Sequence, residues 1–397
     1  MSWATEMAGN RSASRDSGSL EQLLAAKEIL VVCGPGGVGK TTIAAAAAMM
    51  ASTQFGGRVL VLTVDPARRL ASALGIGQLG NTEIRVPDAA FEAAGLEPRG
   101  ELWAAMLDMK ASWDDLVSDH APDSDVRDAI LTNPLYQNVT GKFVQSHDYI
   151  AMERLHEIHS SGRYDLIVVD TPPSRNAIDF LEAPGRMADF FSSRLLRWLT
   201  VPYRSRLVSA ASRPFYTVAD RLLGSQFLRD ISEFFGLFQT MHEGFVERAR
   251  AVERTLADRR TTFAVVSTLE AASVDEAEYF IEALAERRLH LGALMLNRVL
   301  PAGFRDRRGA TAARRMIRDA EALADQLPLD APAPDVAAVL TEIGESYLNY
   351  RLPASREAEL REELEVAADV VVSIPFFDAD IHDLEGLRRV GERLWDV

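Results

Sequence analysis

Apolar, β-branched runs recur along the chain at Ile29–Cys33, Val59–Val64, Leu166–Asp170, Thr262–Ser267, Leu291–Leu296 and Val370–Ile374, and most of the intervening segments space their apolar residues as helices do. The runs are continuous and do not alternate with polar residues, which is the pattern of strands buried on both faces. Strands of that kind alternating with helices predict an α/β fold with a mostly parallel central sheet flanked by helices. Leu102–Leu107 is a candidate for one more strand. In such sheets ligands sit beyond the carboxyl ends of the strands, so the residues just after each run are the ones to read for chemistry.

Two stretches break the alternation. Residues of about 110–160 and 180–258 are helical in period, and the second is rich in aromatics, from Phe190 and Phe191 through Trp198 to Phe234, Phe235 and Phe238. They predict an all-helical subdomain inserted into the sheet domain, whose aromatic side chains either pack against one another or line an exposed groove. Residues 1–20 are polar and lack the apolar stretch of a signal peptide, so they read as a disordered tail ahead of a domain spanning 21–397. No run reaches the roughly 20 apolar residues that span a bilayer, and Pro328–Pro334 reads as a connector.

Composition narrows the classes. The net charge of −15 argues against nonspecific nucleic-acid binding, which needs clustered positive charge. The single cysteine, Cys33, excludes an intramolecular disulfide and a two-thiolate metal clamp, and fits a reducing, cytoplasmic setting. Lysine is scarce, with only Lys27, Lys40, Lys110 and Lys142 among 43 basic residues, which makes Lys40 conspicuous.

Lys40 lies in Gly34-Pro35-Gly36-Gly37-Val38-Gly39-Lys40-Thr41-Thr42, directly behind the first apolar run and ahead of an alanine-rich helical segment. Strand, glycine-rich turn and helix in that order form a phosphate-binding loop. The glycines allow positive φ and turn N–H groups inward, and the helix N-terminus faces the same anion. The ligand-contacting stretch is Gly36, Gly37, Val38, Gly39, Lys40, Thr41 and Thr42, with the Lys40 ammonium on the phosphates and the Thr41 hydroxyl available to Mg²⁺. After the second run comes Asp65-Pro66-Ala67, where Asp65 can orient a water for attack on a γ-phosphate or simply start a turn. The run ending at Asp170 is followed by Thr171-Pro172-Pro173, a Walker B arrangement in which Asp170 meets the metal. Pro66, and Arg175 and Asn176 beyond Asp170, are candidates for segments that sense the γ-phosphate.

Taken in order, G-G-V-G-K-T-T at 36–42, D-P-A at 65–67 and D-T-x-P at 170–173 make the chain resemble the ArsA family, which includes the arsenite-pump ATPase and the ATPase that delivers tail-anchored proteins to membranes. Asn297-Arg298 and Ile374-Pro375-Phe376-Phe377-Asp378 fit that resemblance too. It implies that Asn297 bonds adenine with Pro375 and Phe376 flanking the ring, that Asp65 activates water, and that Asp170 and Thr41 hold Mg²⁺. It also implies a homodimer or a heterodimer with a paralogous ATPase, and a hydrophobic-helix or membrane-protein client. Two departures stand out. Pro35 occupies the position where related ATPases carry a second loop lysine that reaches across a dimer, and the arsenite-binding thiolates are missing. Arg175 is a candidate to supply the lost cation.

His147, His156 and His159 share one helical segment without metal-site partners and read as surface or core histidines. The C-terminal helical spacing of Ile381, Leu384, Leu387, Val390 and Leu394 reads as packing on the sheet, since Asp378, Asp380, Asp383 and Glu385 crowd its start. The leading expectation is a Mg²⁺-dependent ATPase that couples nucleotide state to the helical subdomain. The alternatives are a ParA/MinD-like positioning switch and a nucleotide-binding regulatory subunit with little turnover.

Overall fold

The computed structural model describes residues 18–64, 69–139, 144–171, 242–364 and 368–395, with short pieces at 182–183, 185–186, 189 and 235–237. The chain builds an eight-stranded sheet from β1 (Ile29–Cys33), β2 (Arg58–Thr63), β3 (Ile84–Arg85), β4 (Glu101–Met106), β5 (Leu166–Asp170), β6 (Thr261–Thr268), β7 (Leu291–Val299) and β8 (Val370–Pro375). Their order across the sheet is β3-β4-β2-β5-β1-β6-β7-β8. Every pairing is parallel except β3 with β4. Seven strands coincide with the apolar runs. The two-residue β3 was not legible, because an edge strand so short has no periodicity to display.

Why the runs are continuously apolar is visible in where alternate residues go. Leu30 and Val32 of β1, Val61 of β2, Val168 of β5 and Val266 of β6 enter one core, on the face covered by α1 (Lys40–Gln54) and the C-terminal α8 (Leu384–Trp395). Their neighbours Ile29 and Val31, Leu60, Ile167 and Val265 enter a second core on the opposite face. That face carries α3 (Val144–Ser160), α4 (His242–Leu256) and α5 (Ala271–Glu286). Helix α1 is buried from Ile43 to Thr53, which its alanines permit by letting sheet and helix backbones approach closely. The apolar C-terminal residues take their predicted place on this face, with Leu387 and Leu394 fully buried.

Between β4 and β5 the described chain is helical, with α2 (Met109–His120), helices at Ser124–Thr132 and Pro134–Val139, and α3. These helices enclose a core of their own around Trp113, Leu116, Val117, Ile130, Tyr136 and Tyr149, against which Phe235 and Leu237 pack. A buried ion pair, Arg248 Nε to Glu153 Oε1 at 3.0 Å, ties α4 to α3, and the Tyr149 hydroxyl donates to the other Glu153 oxygen at 2.9 Å. Burial is the largest influence on the Glu153 carboxyl and holds its pKa above the usual value, against the opposing pull of Arg248. Phe190, Phe191, Trp198, Phe234 and Phe238 of the second stretch lie outside the described residues.

After β7 a helical hairpin interrupts the sheet, formed by α6 (Arg307–Arg318), a short helix at Ala320–Ala324 and the 32-residue α7 (Ala333–Leu364). The proline-bearing stretch Pro328–Pro334 is its connector. At the N-terminus the first described helix starts at Leu20, capped by Ser19 in a reciprocal box with Gln22. Most of the expected tail falls outside the described residues. Among the described residues no helix is long and apolar enough to cross a membrane.

Candidate nucleotide-binding site

The loop between β1 and α1 takes the shape its glycines foretold, with one exception. Gly34 sits at φ +139°, and a side-chain carbon there would run into the Val266 carbonyl oxygen of β6. Gly39, at φ +96°, starts α1, and a Cβ there would come within 2.5 Å of Asn297 Nδ2. Gly36 lies outside the left-handed region, so the loop does not require positive φ there. Gly36 and Gly37 are exposed, Val38 is buried as an anchor beneath the loop, and Thr41 and Thr42 are half-buried in the first turn of α1. The N–H groups of that first turn have no intrahelical acceptor and are therefore available to an anion.

Lys40 is buried at 6% exposure and folds back over the loop, donating from Nζ to the carbonyls of Gly34 at 3.0 Å and Pro35 at 2.8 Å. Pro35 thus contributes a carbonyl oxygen and no cation. Next to the loop, Cys33 donates to the Ala264 carbonyl at 3.3 Å, and burial pushes its thiol well above the ordinary range, so it remains protonated and inert.

Asp170 ends β5 fully buried, and its Oδ2 accepts from the Thr63 hydroxyl of β2 at 2.8 Å. The Thr63 hydrogen bond was missed in the sequence, although its signal was there: a hydroxyl one strand over, two residues before Asp65. On the other side of β5, the Thr171 hydroxyl donates to the Val32 carbonyl of β1 at 3.0 Å. Threonines therefore fasten the carboxylate-bearing strand end to both neighbours. The oxygen-only character of Asp170 and Thr41 suits a hard cation such as Mg²⁺, whereas the described residues offer no cluster of three His, Cys, Asp or Glu for a softer metal.

Asn297, on β7, is brought to the same edge but is engaged by the loop itself: its Nδ2 donates to the Val38 carbonyl at 2.7 Å, and its Oδ1 accepts the Arg298 amide at 2.9 Å. Arg298 there adopts φ +58°, a left-handed kink within the strand where its register against β8 shifts. On the adjacent β8, Pro375 pairs with Val299, and Phe376 is 61% exposed with its amide bonded to the Val299 carbonyl at 3.2 Å. Asn297, Pro375 and Phe376 thus stand on neighbouring strand ends. Asp65, Pro66, Arg175 and Asn176 lie outside the described residues. Of the three histidines, His156 meets Thr255 Oγ1 at 3.0 Å and His159 meets Glu28, just ahead of β1, at 2.8 Å; the His147 side chain is not described.

A family model for anion-transporting ATPases of the ArsA type matches residues 27–323, which takes in the loop, the Asp170 strand and Asn297. The chain belongs to this family. Among its relatives, an uncharacterized protein of Streptomyces coelicolor is 32% identical over 273 residues, 68% of this chain and 62% of the relative. An arsenical pump-driving ATPase of Acidiphilium multivorum is 26% identical over 76% of this chain and 45% of its own. The ATPase get3 of Aspergillus terreus is 25% identical over 71% of this chain and 76% of its own. The matched segment thus spans about half the length of the first two relatives. At the loop the only polar group of Pro35 is its backbone carbonyl, which accepts from Lys40.

Proposed function

We propose that this ArsA-family protein binds and hydrolyses ATP in a Mg²⁺-dependent manner and couples nucleotide state to its helical insertion, which handles a protein client or partner. The observation that carries the reading is the position of Asp170: a fully buried carboxylate, held by Thr63, at the end of the strand from which the chain passes directly into the second inserted stretch. Lys40 and the amides at the start of α1 bind the phosphates, Thr41 and Asp170 hold the metal, Asn297, Pro375 and Phe376 receive adenine, and Asp65 orients the attacking water. The metal would neutralise charge on the β- and γ-phosphates. The buried, protonated Cys33 and the lack of any other cysteine speak against thiolate-mediated arsenite transport.

A homodimer, or a heterodimer with a paralogous ATPase, working in the cytoplasm, completes the proposal. The experiment is Asp65→Asn. Loss of phosphate release by on the order of 10²-fold or more, with ATP affinity retained, supports hydrolysis at this site. Wild-type turnover in Asp65→Asn would refute it. Pro35 favours a second reading, a nucleotide-binding regulatory subunit, for which wild-type protein would bind ATP tightly and release no phosphate. Turnover that rises only with DNA or anionic vesicles would instead mark a positioning switch.

A further inference from the structure

The hairpin after β7 separates charge to a degree seen nowhere else in the chain. Between 298 and 318 there are seven arginines and one acidic residue, and from 319 to 350 there are seven acidic residues and no basic one. The halves fold back on each other as α6 and α7. Ala310 and Ala313 of α6 are buried, and Gly344 of α7 approaches so closely that an added Cβ would lie 2.7 Å from the Ala313 carbonyl oxygen. With that side of α6 seated, Arg307, Arg308, Arg314, Arg315 and Arg318 all fall on its solvent face, where every one is exposed. Arg315 and Arg318 have Asp319 as a local partner, at 3.8 and 2.9 Å. Arg307, Arg308 and Arg314 make no ion pair within 4.0 Å among the described residues.

Helix α7 presents a matching surface. Val339, Ile343 and Tyr350 are 53%, 51% and 50% exposed at a spacing that aligns them on one stripe. Asp335 and Glu342 are exposed beside it. An arginine face fits such a stripe in two ways at once, because guanidinium groups pair with the carboxylates while the methylene stems cover the apolar residues.

We propose that the hairpin is a self-association surface, on which the arginine face of α6 in one copy docks against the acidic, apolar-centred face of α7 in a second copy. The occupant is a second copy because one hairpin carries both complementary faces. In a two-fold contact each α6–α7 pairing is made twice. A membrane fits less well, since the apolar side of α6 is already buried and the acidic half of the hairpin would face the headgroups. Helices of 12 residues extend only about 18 Å, so the contact is small, weak and salt-sensitive. It is independent of the nucleotide reading.

Sedimentation velocity of the full chain without nucleotide tests it, at about 50 mM and about 500 mM salt. The wild type should form a concentration-dependent larger species that the higher salt disperses. The exposed double variants Arg307→Glu/Arg314→Glu and Asp335→Arg/Glu342→Arg should each weaken that association more than about tenfold while melting as the wild type does, and their equimolar mixture should restore it. A wild type indifferent to salt, a variant that associates normally, or a mixture that fails to recover would overturn the proposal. So would wild-type binding to DNA or heparin through the arginines without self-association.

Discussion

At the scale of single residues, the site depends on a few short polar contacts inside an apolar sheet. Thr63 is the clearest. Its hydroxyl donates to a fully buried carboxylate, and removing such a donor costs about 1–3 kcal/mol because the charge keeps its desolvation penalty. Thr63→Val should therefore lower stability by about that amount in urea unfolding and raise the Mg²⁺ concentration needed for half-maximal turnover, whereas Thr63→Ser should preserve both. His156 gives a pH signature. Burial, reinforced by His159 and Arg254, lowers its pKa below the ordinary 6.5, so the folded state favours the neutral ring. A base depressed on folding contributes stability that is present above its unfolded pKa and is lost as pH falls through the folded one. Melting temperature should decline on acidification from pH 6.5 downward, and His156→Gln should decline less over the same window. Much of this scale was legible: the loop glycines, Lys40, Asp170 and Asn297 reach one sheet edge because each follows an apolar run. The Asn297 bond to Val38 was not, because it joins residues far apart in the chain through a side-chain orientation that no periodicity encodes.

At the scale of elements, helix positions are set by where backbones can approach. Gly344 lets α7 close on α6, and Gly391 does the same for α8 against Met50 of α1. Gly344→Ala would place a methyl 2.7 Å from the Ala313 carbonyl, an overpacking that costs about 1–3 kcal/mol. Hydrogen exchange should rise in α6 and α7 and stay unchanged in the sheet. The same region shows the limit of pattern reading. Its helices were predictable, but the charge-segregated hairpin emerged only when α6 and α7 were seen folded side by side. The core of the first insertion behaves alike, since Trp113, Tyr136 and Tyr149 belong to three separate helices that only packing unites.

Over the whole molecule, a ligand that binds only the folded state stabilises it by mass action. Mg²⁺-ATP at about 100 times its Kd adds about 2.7 kcal/mol. Thermal melting should therefore shift upward by several degrees with Mg²⁺-ATP. EDTA should cut the shift, and Lys40→Ala should abolish it if the P-loop is where the nucleotide binds. The net charge of −15 leaves the hairpin arginines as a local exception in an acidic molecule, which is why charge reversal there should act on association and not on fold.

By itself the sequence determined seven of the eight strands, the parallel class and the phosphate-binding loop, because those depend on local propensity and on apolar runs that must be buried on both faces. Tertiary structure decided the rest. It chose the order that puts β1 between β5 and β6, directed alternate side chains into two cores, turned Thr63 onto Asp170 and Asn297 under the loop, and left one face of α6 and one stripe of α7 to solvent. These are outcomes of packing between distant segments, where close approach and the pairing of buried polar groups select one arrangement among many that the local pattern allows.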